Sequence, residues 1–503
     1  MSAITRTLQE ETGMKRGMNR RQFLGTTTGA VAAGVAATAV TSKAVAAKAS
    51  LPEECRGTKT RIGKVYIGHD RSGWPSPAVM MKEDVEKYEA ELAQLKPKLA
   101  DIEFVDAGLV SSAADLARAK EKLKDVDGIL VIHLALGTGP LITGLLELGP
   151  PVVVFAKPYA GHEWHIIASL QKQGKKIEMY PSSNSADIGK AIRPIRAIHR
   201  LHEAKILHLP GGKPDEQYIE AIRKKFGTEI KTISLDDLTK RYAAADKGEV
   251  AKEAQWWVDH SLKIVEPKRE DITRAARMYI AMRDLLVAEK AHAITLNCLG
   301  SGLIQKGQAY PCFGFSRLSS MGVPGICEAD LKSTITALIF QYLVNKPGFV
   351  TDPMIDLSNN TIIHAHCVAP LKMDGPDGED CDYIIRSHLE DLKGASLFVK
   401  MRVGQKISMA RLIGNDVMLF STGEIVDTPY VERGCRTKIT TKVSDAQKIM
   451  EGWSSGLHRV IFYGDHSRDI RRLARFLDFR VVEEGVDDPK SVPGLEWEPH
   501  VHA

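Results

Sequence analysis

Residues 128–155 read GILVIHLALGTGPLITGLLELGPPVVVF, and this stretch decides the fold class. Gly128–Ala135 and Val152–Phe155 are short runs that stay apolar, His133 apart, instead of alternating. A strand of that kind is covered on both faces. Between them lies a glycine turn and a helical segment running through Leu146. Two buried strands joined by a helix are parallel, because the chain must cross back over the sheet before it can pair again in the same direction.

The same alternation extends outward. Upstream, Arg61–Gly68 reads as a strand, Lys82–Leu95 as a helix, Ile102–Val110 as a strand and Ala113–Leu123 as a helix. Together these predict a doubly wound (Rossmann-like) α/β domain ending near residue 203. A second run opens at Ala204-Lys-Ile-Leu-His-Leu-Pro-Gly-Gly212 and continues with a strand at Glu229–Ser234, a helix over Asp271–Ala288 and a strand at Ala293–Leu296. It predicts a second doubly wound domain, 204–346. Past Phe349 the texture changes. Phe349–Asp352, Thr361–Cys367, Ser396–Met401, Lys406–Ile413, Asp416–Ser421 and Lys438–Val443 read as strands divided by polar turns, with one late helix at Arg468–Phe476. That pattern predicts a mainly antiparallel β domain, a barrel, over 347–503.

Residues 1–46 read as an address rather than a part of the fold. Asn19-Arg-Arg-Gln-Phe-Leu-Gly25 precedes a weakly apolar run rich in Gly, Ala and Thr, and Ala44-Val-Ala46 closes it as a small-x-small cleavage site. A basic start, an apolar middle and a small-residue end make a secretory leader, and the paired arginines resemble a twin-arginine signal. The expectation is export to the periplasm through the twin-arginine machinery, with the N-terminal domain beginning at 47. A net charge of +5 over 503 residues, with no long Lys/Arg run past the N-terminus, gives no reason to invoke nucleic acid. Seven cysteines, odd in number and irregularly spaced, argue against a full disulfide framework, while one or two bridges stay open.

Few motifs carry chemistry. Gly137-Thr-Gly139-Pro-Leu-Ile-Thr-Gly144 has the wrong spacing for a dinucleotide loop and reads as a tight strand–helix turn. His162-Glu-Trp-His165 follows a buried strand, at the end of the sheet where α/β ligand sites lie; it reads either as substrate-pocket lining or as a surface feature. The richest region is 297–370. Gly325-Ile-Cys-Glu-Ala-Asp330 precedes the amphipathic stretch Leu331–Val344, so Glu328 sits near a helix N-terminus, as a functional acid or as a simple dipole partner. Asp352 follows an apolar strand and precedes Pro353, which also suits a structural turn. In Thr361-Ile-Ile-His-Ala-His-Cys367 the two histidines share one strand face, and either reads equally as a core histidine.

Taken together these residues resemble the L-fucose/L-arabinose isomerase superfamily. The stretch GVPGICEADLKSTITALIFQYLVNKPGFVTD, residues 322–352, is similar to the family segment bearing its two metal-binding acids. NNTIIHAHC is similar to the strand after them, and SSGLHRVIFYGDHSRDIRRLARFLDFRVV to the terminal histidine segment and last helix. The resemblance implies a divalent cation held by Glu328, Asp352 and His458 with His366 close by, and catalysis by Glu328 and Asp352. It also implies a homo-oligomer whose pockets are completed by a neighbouring subunit. The family usually has paired histidines where this chain has Leu457-His458.

The residue types suit the implied reaction. Aldose–ketose exchange through an enediol moves a proton between C1 and C2, and a hard cation chelating the sugar oxygens stabilises the developing charge. A carboxylate-rich set favours Mn²⁺ or Mg²⁺ over structural zinc. The expectation is a metal-dependent sugar isomerase, with His162 and His165 as candidate substrate contacts. The alternative is a non-catalytic carbohydrate-binding protein on the same scaffold, and a third reading is epimerisation of a sugar.

Overall fold

In a computed structural model the described residues are 55–69, 81–160 and 163–488. The proposed leader and His162 lie outside them. The first sheet contains β1 (Thr60–Ile67), β2 (Ile102–Val110), β3 (Gly128–His133), β4 (Val152–Ala156) and β5 (Ile177–Pro181). All are parallel, in the order β2-β1-β3-β4-β5. The unbroken apolar runs have the expected cause. Leu130, Ile132, Val153 and Phe155 join one core, while Ile129, Val131, Val152 and Val154 join another on the opposite face. The GTG segment is a tight turn. Gly137 takes the left-handed conformation (φ 86°) that favours glycine, and the N–H groups of Gly137 and Thr138 both donate to Glu163 Oε1 at 2.7 Å. Glu163 is fully buried, so the chain's own carboxylate fills the anion position at this helix start.

The second sheet is also parallel. It contains β6 (Lys205–Leu209), β7 (Glu229–Thr232), β9 (Ala293–Leu296) and β10 (Gly325–Cys327), in the order β10-β9-β6-β7. The intervening β8 (Lys263–Ile264) leaves this sheet to pair with β13 (Tyr383–Arg386).

The C-terminal region holds an antiparallel barrel. β11 (Phe349–Asp356), β12 (Thr361–His366), β15 (Lys406–Ile413), β16 (Val417–Asp427), β17 (Thr437–Val443) and β18 (Arg459–Tyr463) run in the order β15-β18-β11-β12-β17-β16, and β15–β16 pairing closes the ring. β19 (Arg480–Glu483) adds to β16 in parallel. Two expectations are corrected here. Ser396–Met401 is not a barrel strand: β14 (Ser396–Val399) pairs with β13 in the small sheet that β8 completes. Pro353 does not end a strand, because β11 continues to Asp356. β18 pairs only with Phe349–Thr351, so the stretch from Asp352 onward has one open edge, where a missing N–H costs no ladder bond.

The helix Leu331–Val344 is likewise not amphipathic. Twelve of its residues are buried, all but Lys332 and Tyr342. It lies between the second sheet, against Ile206 and Ala293, and the barrel, against Leu412, Phe420 and Phe462. Phe340 stacks on Phe462 with ring centroids 4.1 Å apart. Both faces meet protein, so the sequence carries no polar stripe. Among the described residues, no helix is long and apolar enough to cross a membrane.

Candidate metal centre

This sandwiched helix begins at the site. Asp330 is its N-cap, and its side chain accepts from the Ser333 backbone N–H at 3.0 Å and the Ser333 hydroxyl at 2.7 Å. Just before it, Glu328 (φ 62°) and Ala329 (φ 53°) both take the left-handed conformation without being glycine. Such backbone costs roughly 1–3 kcal/mol per residue and persists only where the surroundings impose it. Here the Ala329 N–H donates to the Leu296 carbonyl of β9 at 3.0 Å, and the buried His208 of β6 bonds the Ala329 backbone from behind. The kink turns the Glu328 side chain off the end of the second sheet.

Three barrel residues meet it. Asp352 projects from β11 at the point where the β18 partner ends, His366 closes β12, and His458 immediately precedes β18. His458 Nε2 is 3.3 Å from Glu328 Oε2 and 3.2 Å from Asp352 Oδ1. His366 Nε2 is 3.6 Å from Glu328 Oε1 and 4.0 Å from Asp352 Oδ2. Each carboxylate thus offers one oxygen toward each imidazole. All four sequence-derived candidates, Glu328, Asp352, His366 and His458, come together.

The two histidines differ. His458 Nδ1 faces Asp330 Oδ2 at 2.8 Å. A carboxylate there holds the ring proton on Nδ1 and leaves the Nε2 lone pair directed at Glu328 and Asp352, the orienting arrangement that metal-ligating histidines ordinarily have. His366 Nδ1 instead accepts the Cys367 backbone N–H at 2.9 Å, which puts the proton of its neutral ring on Nε2. His366 Nε2 therefore faces Cys327 Sγ at 3.4 Å and lies within 4.0 Å of both carboxylates, whereas His458 is oriented by Asp330. Its partner on β12, His364, is a satisfied core histidine bonded to Thr351 and Thr441 at 3.1 and 3.0 Å.

The donor set fits a cation. With bonds of about 2.1 Å, adjacent ligands are separated by about 3.0 Å in an octahedron and about 3.4 Å in a tetrahedron, and the His458–carboxylate separations fall in that range. Two overlapping groupings bring their donor atoms close enough for an ion, Asp352–His366–His458 and Cys327–Glu328–His366; they share His366, and Glu328, Asp352 and His458 do not form such a grouping by themselves. Charge already accumulates for it. Burial pushes the Glu328 carboxyl up, but hydrogen bonds and charge from His366 and His458 outweigh this and hold it well below the carboxylate range. Burial disfavours a charged His458, yet Asp330, Asp352 and Glu328 raise it well above an ordinary imidazole, so without an ion the ring is held protonated and a cation would have to take the place of its Nε2 proton.

Sequence reading missed the support. Asp330 Oδ2 also accepts from Arg411 Nη1 of β15 at 2.8 Å, and the pair is largely buried. The fully buried Arg459 donates to the His458 and Ser454 carbonyls, pairs with Glu484 at 2.7 Å and lies 4.0 Å over the Trp453 ring, fixing the loop that carries His458. The N-cap position of Asp330 was the available signal.

A cavity of about 30 Å³ adjoins the cluster, large enough for one ion or one water-sized group. Five of the seven cysteines line it: Cys298, Cys312, Cys327, Cys367 and Cys435. None of the seven is in a disulfide. His165 lies elsewhere, exposed at the start of the helix Trp164–Lys172 that packs on the first sheet. The His-Glu-Trp-His motif thus contributes Glu163 as a turn anchor, while His165 stands apart from the cavity. No family model matches the chain, and no curated protein matches it.

Proposed function

We propose that the chain is a metal-dependent aldose–ketose isomerase. The carrying observation is the convergence of Glu328, Asp352 and a His458 whose ring is fixed by Asp330. Glu328, Asp352 and His458 would hold the ion, with His366 beside them. Two carboxylates and one imidazole suit manganese, or magnesium, better than a thiolate-rich structural zinc site does. When bound, the cation supplies Lewis-acid stabilisation of charge on the sugar oxygens.

The chain's own residues supply proton transfer. One carboxylate of the Glu328–Asp352 pair takes the proton from C2, the C2–H electrons form the C1=C2 bond of an enediol, and the C1 carbonyl oxygen gains a proton. A proton then returns to C1 while the O2 hydroxyl gives up its proton, so that the C1=C2 electrons form the new C1–H bond and the O2–H electrons the C2 carbonyl of the ketose. Positioned acid–base assistance of this kind contributes ~10²–10⁴-fold. Glu390, exposed and lining the small cavity, would receive a further hydroxyl.

In this proposal residues 1–46 are a twin-arginine leader, the mature protein is periplasmic, and the chain divides at 47–203, 204–346 and 347–503. The expected assembly is a homo-oligomer, and His162 and His165 reach a sugar only across a subunit boundary. A second reading, carbohydrate binding without turnover on the same scaffold, is favoured by the ion-sized enclosed cavity and by Leu457 in place of a second histidine. The test is a panel of aldoses deuterated at C2, incubated with manganese-loaded protein. Deuterium loss to solvent with ketose formation, absent in Glu328→Gln, supports the isomerase. A sugar that binds without exchange selects the binding reading, and the absence of both binding and exchange across the panel rejects both.

A further inference from the structure

A cavity of about 730 Å³ lies apart from the metal centre and has no part in the mechanism above. Small-molecule sites have this size. Its walls come from the segment before β1, the turn before β2, the helix Arg193–Glu203 and the C-terminal end of the helix Leu331–Val344. Four basic side chains line it (Arg56, Lys59, Arg196 and Arg200) against two acidic ones (Asp101 and Asp377), an excess of two positive charges. His292, also in the lining, adds none, because burial lowers its pKa.

Arg196 and Arg200 stand one turn apart on a single helix face. Both point at one oxygen: Asp101 Oδ2 is 3.7 Å from Arg196 Nη1 and 3.8 Å from Arg200 Nη2. Those separations are too long for hydrogen bonds, and among the described residues neither guanidinium donates to another acceptor. The two side chains are 22% and 17% exposed, so the forks stay reachable. Gly57 makes room for one of them, since a Cβ there would collide with the Arg200 guanidinium. Glu203, on the same helix, is already taken by the backbone N–H of Thr58 at 2.8 Å and by its hydroxyl. Arg386 shows the contrast, with its Nε and Nη2 both bound to Glu266 at 2.9 and 2.6 Å. Two neutral donors join the lining. The Lys205 N–H donates to His292 Nδ1 at 3.1 Å, which puts the ring proton on Nε2. Tyr342 is one of the two residues that the helix Leu331–Val344 does not bury.

We infer that this cavity binds a phosphate monoester, with the dianionic phosphoryl group in the forks of Arg196 and Arg200 and the hydroxylated body against His292 and Tyr342. Charge decides for phosphate over a single carboxylate: a dianion matches the excess of two, and its three terminal oxygens meet two forks at once. Asp101 alone compensates the pair poorly. Burial lowers the Arg196 pKa, and Arg193 and Arg200 add to that against the support of Asp101. The site is independent of the metal-dependent sugar reading. The helix Leu331–Val344 separates the two, with Asp330 capping its start and Tyr342 near its other end.

Calorimetric titration of the purified protein in metal-free buffer with ribose 5-phosphate, glucose 6-phosphate, inorganic phosphate and succinate tests this. The expected result is saturable binding of both esters, weaker binding of inorganic phosphate and weaker still of succinate. Ester affinity should fall at least tenfold in Arg196→Gln and Arg200→Gln. It should stay within twofold of wild type in Glu328→Gln and in Lys240→Gln, which removes an exposed charge from another helix. Asp101→Asn is the decisive variant: removing the competing carboxylate should tighten ester binding at least threefold, a gain that damaged folding cannot produce. Ester affinity unchanged in Arg200→Gln, or not raised in Asp101→Asn, overturns the site. Succinate bound as tightly as the esters overturns the phosphate class, and inorganic phosphate bound as tightly overturns the part given to His292 and Tyr342. Loss of ester binding in Glu328→Gln places the anion at the metal centre and overturns the inference. Should Arg196→Gln fail to fold, Arg200→Gln and Asp101→Asn decide. Failure of every phosphate to bind the wild type overturns the inference and leaves the sugar reading untouched.

Discussion

Replacing Asp330 with Asn is the sharpest perturbation of the site, because it removes a charge without touching a ligand. Asp330 Oδ2 accepts from the Ser333 hydroxyl, from Arg411 and from His458, while Oδ1 accepts from the Ser333 backbone. An amide satisfies this set only with its oxygen in the Oδ2 position, which turns its NH₂ toward the Ser333 N–H and loses the cap. Loss of a cap costs about 1 kcal/mol. Exchanging a charged for a neutral acceptor at Arg411 and His458 costs about 1 kcal/mol each. The apoprotein is therefore expected to lose about 2–4 kcal/mol of stability. Weakening the partner that orients a ligating histidine typically lowers metal affinity 10–100-fold, which corresponds to about 1.4–2.7 kcal/mol. Calorimetric titration of metal-stripped protein with manganese measures the second effect, and urea unfolding of the apoprotein the first. Ser333→Ala is the control, since it disturbs Asp330 while sparing the contact to His458. A manganese affinity in Asp330→Asn within twofold of wild type, alongside abolished binding in Glu328→Gln, would refute the claim that Asp330 prepares His458 to ligate.

Three further expectations follow from the same geometry. His364, buried between two threonines, is held neutral by burial, with its pKa lowered to about 3 against 6.5 for an ordinary imidazole. Its contribution is therefore complete above pH 6.5 and is lost as the pH falls toward 3, so wild type should lose about 2 kcal/mol more than His364→Gln between pH 6.5 and 5 in urea unfolding. Manganese at a hundred times its Kd should stabilise the wild type by about 2.7 kcal/mol, read as a raised thermal midpoint that a chelator reverses and that Glu328→Gln lacks. Glu163→Ala leaves the N–H of the buried Thr138 without its acceptor, at a cost of about 1–3 kcal/mol, frees the N–H of the exposed Gly137 to water, and should destabilise the fold while leaving manganese affinity unchanged.

The first sheet was legible because β3 and β4 are apolar on both faces, and only a strand covered twice carries that pattern. β10 and β18 were not, for different reasons. β10 has only three residues, too few for a period to show, while β18 opens with Arg459, a charge that composition assigns to the surface and that Glu484 and Trp453 keep inside. The family resemblance pointed to Glu328, Asp352, His366 and His458 as a group, but it could not separate the work of the two histidines. That depends on a backbone N–H at one ring and a carboxylate at the other. Asp330 caps the helix, and its second task depends on Arg411 and His458, remote in sequence and adjacent in space.

Glu328 hangs from the end of the parallel sheet β10-β9-β6-β7, whereas Asp352, His366 and His458 hang from the barrel. An ion gripped by both is consequently a rivet across a seam, with the helix Leu331–Val344 as the plate beneath it. Docking of the two halves and loading of the ion are then thermodynamically linked, so a chain secreted already folded would carry its cargo clamped inside. Stripping the ion should loosen that joint before either half melts, and protease nicks should gather first in the loops on either side of it.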